Sequence, residues 1–558
     1  MKIRNYNIYF NTHTISGIII CAILYVIFFA GSFSFFKDEI SAWQKNRSAY
    51  THQAAANDYD FLLDSLHAAH NLLGRDLTFY IQDNDVQAYV NMGASQDTTV
   101  KRKAAAQPPR EGRGRGRGRG NGDAAYFQYD FQRKQPASYA ESYDMGEFLY
   151  RLHFLAQLNQ VPIRIGTPFG YLVAGIVSFL FLFALITGLL LHWDKIVSNF
   201  FTFRPWNKWK TVWTDMHTAL GVIGFPFQLM YAVTGVVLII NTVLILPFSK
   251  FLYDGDSQKL YTELGYNDGT TYEYRYQPLP DRIALNPYLK QVADRWPDSH
   301  VSRIYVKNYG DESMHIAIEA TPNFSSNFAG VGKIVFHPAT QSIVHEKSPV
   351  ASASYVDRVK ALVYRLHFGD FGGYPVKVTF FVLGIMGCLV IISGILIWLV
   401  ARDKKNIPAH KRKFNFWAAN VFLAICLAML PVTALTFIAI KLHPAADQAF
   451  IYRVYFYSWL ALSVVYVARR NLRVTNRETL LVGGLLALCI PVVNGVVTGN
   501  WLWNAQRTGA MDIFLVDFLW LAIGVVSLIA CYRIRLDGKN TEKPKQKATV
   551  EREPVAFR

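Results

Sequence analysis

His13-Thr14-Ile15-Ser16-Gly17 opens an apolar run that continues to Phe36 and carries Gly31, and His217-Thr218-Ala219-Leu220-Gly221 opens another that carries Gly235. From histidine to later glycine is eighteen residues in both. At about 100° per residue that is five whole turns, so on a helix the later glycine returns to the histidine's face about 27 Å further along. Uninterrupted apolar runs of this length match the thickness of a bilayer rather than the core of a globular domain.

A second signature recurs. Tyr150-Arg151-Leu152-His153-Phe154 and Tyr364-Arg365-Leu366-His367-Phe368 each stand shortly before a further apolar run. Those runs end alike, in Thr187-Gly188-Leu189-Leu190-Leu191-His192-Trp193 and Ser393-Gly394-Ile395-Leu396-Ile397-Trp398. The first four spans therefore read as a tandem duplication of helix, external segment, helix.

Composition agrees with a membrane protein. Of 558 residues, 52% are hydrophobic and only 17% charged, against about 25% charged in soluble domains. Eight runs can span, at about 13–36, 168–192, 217–246, 374–400, 415–440, 453–468, 478–498 and 512–533. Every alternate connection is basic: Lys2 and Arg4; Lys195, Arg204, Lys208 and Lys210; Arg402 to Lys413; Arg469 to Arg477; and the tail after Arg533. The positive-inside rule puts both the N and C termini in the cytoplasm. Topology accounts for the net charge of +17, so no nucleic acid is expected as a partner. The first run is longer than a signal-peptide core and lacks a small-residue cleavage site, so it is expected to stay as an anchor. All five cysteines fall inside apolar runs, which predicts no disulfide and no metal site built on cysteine.

The expected fold class is an all-α polytopic membrane protein of about eight transmembrane helices, with two small α+β external modules. The N-terminal cytoplasmic segment and first span occupy 1–36, and the first module 37–167, with a disordered Arg-Gly insertion at 107–123. Spans two and three occupy 168–246, the second module 247–373 and the fourth span 374–402. A C-terminal four-helix membrane region at 403–533 and a basic cytoplasmic tail at 534–558 complete the chain. In each module a helix-like stretch, Phe61 to Leu73 or Tyr288 to Trp296, precedes alternating strand-like residues, Leu77 to Met92 or Val301 to Ala320. A hairpin is predicted from Lys333 to Glu346 through Pro338-Ala339-Thr340-Gln341. The Arg-Gly tract reads as a solvated linker or as a cationic lure for anionic ligands and lipid headgroups.

The repeated histidines carry the chemistry. Topology sorts them into His13 with His217 at the cytoplasmic end and His153 with His367 near the external end. Two neutral imidazoles from two helices at matching depth can grip a haem iron axially, and Gly17, Gly31, Gly221 and Gly235 clear space on one helical face. With no Cys-x-x-Cys-His attachment motif in the chain, the haem expected is b-type, two per chain. The bland reading is that the histidines are interfacial. His192 is an alternative or additional ligand. Arg151 and Arg365 either neutralise haem propionates or snorkel to the interface. His52, His67, His70, His300, His315, His337 and His345 read as ordinary surface histidines of the modules.

These residues closely resemble the PepSY-associated transmembrane family, including its ferric-siderophore reductase members, over about residues 9 to 402. The pattern is a His and Gly at a helix start, a small external module, an Arg-Leu-His element before the next helix and a TG or SG ending. The resemblance implies PepSY-like periplasmic modules, b-type haems in a four-helix core, a bacterial inner-membrane location and reduction of a periplasmic ferric siderophore or other ferric chelate. The Arg-Gly insertion and four additional C-terminal helices depart from the family pattern. No nucleotide motif is present, so electrons must come from a cytoplasmic flavoprotein or a membrane quinol. The C-terminal half has no histidine within its spans and suits a scaffold or quinol-docking role. Two other classes stay open: a haem-free PepSY sensor or peptide-binding protein, and a transporter.

Overall fold

A computed structural model describes residues 3–534 apart from 47–56, 82–86, 106–123, 132, 164–167, 205–206, 264–269, 281, 324–327 and 329. The Arg-Gly tract, His52 and the tail from 535 lie outside the described residues. Helices follow in the order α1 (Ile3–Ser34), α2 (Lys37–Lys45), α3 (Tyr59–Ala69), α4 (Thr98–Ala105), α5 (Tyr139–Ser142), α6 (Met145–His153), α7 (Phe169–His192), α8 (Ile196–Phe201) and α9 (Trp209–Leu252). They continue with α10 (Ser257–Glu263), α11 (Asn286–Arg295), α12 (Tyr355–Phe368), α13 (Gly373–Arg402), α14 (Ala409–Leu442), α15 (Gln448–Arg469), α16 (Leu472–Thr498), α17 (Leu502–Arg507) and α18 (Met511–Arg533).

Among the described residues eight helices are long and apolar enough to cross a membrane: α1, α7 with its continuation to Phe201, α9 over Lys210–Ile239, α13, α14, α15, α16 and α18. All eight expected runs are thereby accounted for. Helix α1 packs against α7 and α13, and α9 against the same two, which makes the first bundle. Helix α14 packs against α15 and α16, and α16 against α18, which makes the second. Phe33 of α1 lies across the join, stacked on Trp520 with ring centres 5.4 Å apart and edge-on to Phe381 at 5.3 Å. Both Phe33 and Trp520 are fully buried, and such aromatic pairs add about 1 kcal/mol beyond their area burial.

Among the described residues eight strands run β1 (Leu77–Ile81), β2 (Gln87–Met92), β3 (Ala125–Asp130), β4 (Gln135–Ala137), β5 (Ser299–Lys307), β6 (His315–Pro322), β7 (Gly332–His337) and β8 (Ser342–Lys347). The predicted hairpin is β7 and β8, turning through a short 3-10 helix at Pro338–Thr340. Where two separate modules were expected, the strands of both segments join one antiparallel sheet in the order β4-β3-β2-β1-β5-β6-β7-β8. The seam is β1 against β5, with Leu77 opposite Val306 and Phe79 opposite Ile304. A strand edge left bare exposes a row of unpaired N–H and C=O groups, and pairing β1 with β5 removes one such edge from each half. Helices α3 and α11 contribute Leu62, Leu66, Leu289 and Val292 to one shared apolar core with Phe79, Ile304 and Ile318.

Local signals start the two short helices that matter most below. Asp144 caps α6 by accepting from the Glu147 N–H at 3.0 Å. Ser354 and Asp357 form a reciprocal capping box on α12, which ends on Gly369 at φ 66°, a left-handed position that favours glycine.

Candidate functional site

The four repeated histidines come together as two pairs, at opposite ends of α1. His13 of α1 faces His217 of α9 with ring centres 6.1 Å apart. At the end that carries the sheet, His153 closes α6 and faces His367 of α12 at 5.9 Å. Between two Nε2 atoms bound to one metal at about 2 Å each, ring centres fall about 6 Å apart.

Each ring is aimed by its other nitrogen. His13 Nδ1 donates to the Ala184 carbonyl at 2.9 Å, His217 Nδ1 to the Val390 carbonyl at 2.9 Å, and His153 Nδ1 to the Ile27 carbonyl at 2.8 Å. A carbonyl only accepts, so these bonds put the proton on Nδ1 and the lone pair on Nε2. His367 Nδ1 meets Thr234 Oγ1 at 2.8 Å. That hydroxyl already donates to the Met230 carbonyl at 2.7 Å, so it accepts from His367 and the same tautomer results. The Tyr231 hydroxyl also holds the His367 carbonyl at 3.0 Å. Orientation of this kind through the second nitrogen is what metal-ligating imidazoles ordinarily show. Burial, with the neighbouring His153, pushes the His367 imidazole down to about 3, and burial lowers His153 as well. Both rings therefore stay neutral at ordinary pH.

Small residues let the rings approach. A methyl group on Gly31 would stand 2.5 Å from His153 Nδ1, one on Gly188 3.0 Å from His13 Cε1, and one on Gly394 3.1 Å from His217 Cε1. Gly235 is looser, its hypothetical Cβ lying 3.8 Å from His367 Cε1, and Gly17 and Gly221 have nothing within 4 Å. Gly188 and Gly394 were not singled out as site residues from the sequence, although the matched Thr187-Gly188 and Ser393-Gly394 endings were the available signal. Thr187 and Ser393 hydroxyls donate to the same Ala184 and Val390 carbonyls, at 3.0 and 2.9 Å. Thr234, Tyr231 and Ile27 had no such signal, because contact between distant segments chooses them.

Beside the outer pair lies a cavity of about 290 Å³ bordered by Gly31, Tyr150, His153, Tyr231, Gly235 and His367. Most of its wall is apolar side chain, as small-molecule pockets generally are. The two arginines of the repeated pentapeptides already have carboxylate partners. Arg151 Nε meets Glu147 at 2.5 Å, and Lys37 meets the same carboxylate at 3.0 Å; Arg365 pairs with Asp370. Burial alone would raise the Glu147 carboxyl, but Lys37 and Arg151 outweigh it and hold it down at about 2. His192 closes α7 near the inner pair, close enough to interact electrostatically with both His13 and His217, and its Nδ1 lies 3.3 Å from the Asn199 amide.

Outside the spans, His67 of α3 bonds the Tyr309 hydroxyl at 2.7 Å, and His315 of β6 bonds the Ser313 carbonyl at 2.8 Å and stands edge-on to His337 with ring centres 4.6 Å apart. Among the described residues no three or more metal-binding side chains cluster, and all five cysteines are free.

Fold and site together define a polytopic membrane protein in which two of the first four spans, and the short helices α6 and α12 outside them, bring imidazoles together at two levels. The chain belongs to the family described as the PepSY-associated TM region, which matches residues 10–401. It is also similar to an uncharacterized protein of Pseudomonas aeruginosa, 21% identical over 306 residues that cover 53% of this chain and 73% of that protein. Helices α14 to α18 fall beyond the family match.

Proposed function

We propose that this protein binds two b-type haems, one between His13 and His217 and one between His153 and His367, and acts as a transmembrane reductase of an external ferric chelate such as a siderophore. The observation that carries the reading is that four imidazoles, two by two, face each other about 6 Å apart with every Nδ1 committed as a donor. Bound there, haem supplies one-electron chemistry at two depths, reducing one ferric ion per electron delivered.

The chain's own part is ligation, spacing and exclusion of water. His13, His217, His153 and His367 present Nε2 lone pairs, and the carbonyls of Ala184, Val390 and Ile27 fix the ring planes. Gly31 and Gly235 keep the outer level open to a flat ring, while Gly17 and Gly221 leave space beside the inner one. In this reading Arg151 and Arg365, each two residues before its histidine, would neutralise propionates in exchange for their present partners Glu147 and Asp370. In this reading the basic connections, at the end away from the sheet, face the cytoplasm together with both termini, and the sheet stands on the periplasmic side of a bacterial inner membrane. The electron donor is then a flavoprotein or a quinol meeting the inner level.

Oxidised and dithionite-reduced visible spectra of the purified protein test the proposal. A Soret band with a reducible α-band and close to two haems per chain is the expected result. Protein produced with ample haem and showing neither band would sink the reductase reading in favour of a haem-free sensor.

A further inference from the structure

The C-terminal helices meet the rest of the molecule at one unusual place. Asp517 of α18 is fully buried, and an unpartnered carboxylate there would be costly. It accepts from Trp43 Nε1 at 2.7 Å and from the Asn494 amide of α16 at 2.8 Å. Lys441 of α14 donates to the Trp43 carbonyl and sits 3.9 Å from the centre of the Trp43 ring. Three C-terminal helices thus contribute one side chain each to a cluster around a single residue of α2, and Trp43 and Lys441 are themselves buried.

The remaining polar side chains of α2 are spent largely on α6. Ser41 donates to Asp144 at 2.7 Å, Lys45 pairs with Asp144 at 2.8 Å, Lys37 pairs with Glu147 at 3.0 Å, and Gln44 accepts the Met145 N–H at 2.8 Å. At Gly146 the two helices are so close that a methyl group would collide with the Lys37 carbonyl. Helix α6 ends on His153.

We infer that the C-terminal helices brace the outer imidazole His153 through α2, with Trp43, Lys441, Asn494 and Asp517 as positioning residues; the consequence for haem rests on the reading above, while the brace itself does not. Apolar side chains would hold α2 against the second bundle as firmly, and often more so. Directional, charge-assisted bonds do something apolar packing does less well, which is to fix the height and rotation of a short helix. A helix one residue out of place would carry the His153 ring away from His367. The extra helices are then part of the outer site without touching it.

Hydrogen–deuterium exchange on the full-length protein tests the brace independently of haem. Trp43→Phe keeps a six-membered aromatic ring and removes the pyrrole half of the indole with its N–H donor. Amides of α6 should then exchange about tenfold faster with those of α12 unchanged, and the outer centre's electron-paramagnetic-resonance signal should shift while the inner one stays. Asn494→Ala, which removes the second bond to Asp517, should act in the same direction and more weakly, and carries the test if Trp43→Phe does not accumulate. Unchanged exchange in α6, or an equal rise in α6 and α12, overturns the brace. Wild-type protein without a Soret band would overturn the haem reading alone, because the exchange comparison still decides whether α2 holds α6.

Discussion

Tyr150 to Phe154 and Tyr364 to Phe368 are the same pentapeptide apart from nothing in its letters, yet they live in different surroundings. The first ends α6, six of whose nine residues are buried: Met145 to Leu149 and Leu152. Its acidic residues are taken by Lys37, Ser41 and Lys45 of α2. The second ends α12, a helix of fourteen residues with none buried, started by an exposed capping box. Both nevertheless deliver a histidine to the same pair, and both histidines are aimed by a part-buried bond from Nδ1. The comparison teaches that a histidine's position can be set by its whole helix on one side of a site and by its immediate neighbours on the other. His367 leans on Thr234 and Tyr231 of the long span α9; His153 leans on α1 and, through α2, on the second bundle.

The sharpest way to break the comparison is to delete each imidazole. If the pairs hold haem as proposed, His153→Ala and His367→Ala should both lose one haem of two and abolish reduction of an external ferric chelate in vesicles, despite the unequal burial of their helices. His13→Ala and His217→Ala should instead block reduction by the physiological donor. If all four variants keep full haem content and chelate reduction, the pairs are structural.

Glycines should divide the two sides next. Gly31→Ala puts a methyl 2.5 Å from His153 Nδ1, whereas Gly235→Ala meets His367 only at 3.8 Å. The first should cost about 3 kcal/mol or expel the outer haem, as overpacking does, and the second should be close to neutral. Thermal unfolding together with the haem-to-protein ratio reads both; equal effects would mean the two imidazoles are held alike.

Removing a carboxylate should matter more on α6 than on α12. Glu147→Gln leaves Lys37 and Arg151 without their shared anion, and because those cations are about a third exposed the loss should be about 2 kcal/mol rather than the full value for a buried pair. Asp370→Asn breaks a pair nearer the surface and should cost less than about 1 kcal/mol. Denaturation of the two variants in the same detergent decides the order.

Acid gives a graded effect that starts small near neutral pH. His367 has an ordinary value of 6.5 and is held down at about 3, so below pH 6.5 the unfolded chain takes up a proton that the folded chain refuses. Stability is therefore intact above pH 6.5 and falls as pH drops towards 3. Between pH 7 and 5.5 the loss from this one group should be about 1 kcal/mol. Glu147 has an ordinary value of 4.5 and is held at about 2, so its contribution is lost only below pH 4.5 and does not mask the histidine. A His367→Asn variant should lack the upper part of the slope; an unchanged slope would mean that this ring is solvated in the native protein.

The sequence by itself determined the spans, because bilayer thickness imposes a length and a polarity that no later packing can alter. It also indicated which histidines share a level, because the matched motifs sit at matched ends of alternating spans. The short hairpin at Pro338 was legible for a similar reason, since its turn is built from adjacent residues. Tertiary structure alone decided the rest. The joining of eight strands into one sheet depends on β1 meeting β5, more than two hundred residues apart in the chain, and strand register across such a distance leaves no local mark. Gly188 and Gly394 gained their meaning only when His13 and His217 came against them. Trp43 and Asp517 are likewise separated by most of the sequence, and nothing in either neighbourhood announces the other. Periodicity is a property of one segment and can be read along it; a hydrogen bond between two segments exists only once the fold has brought them within 3 Å.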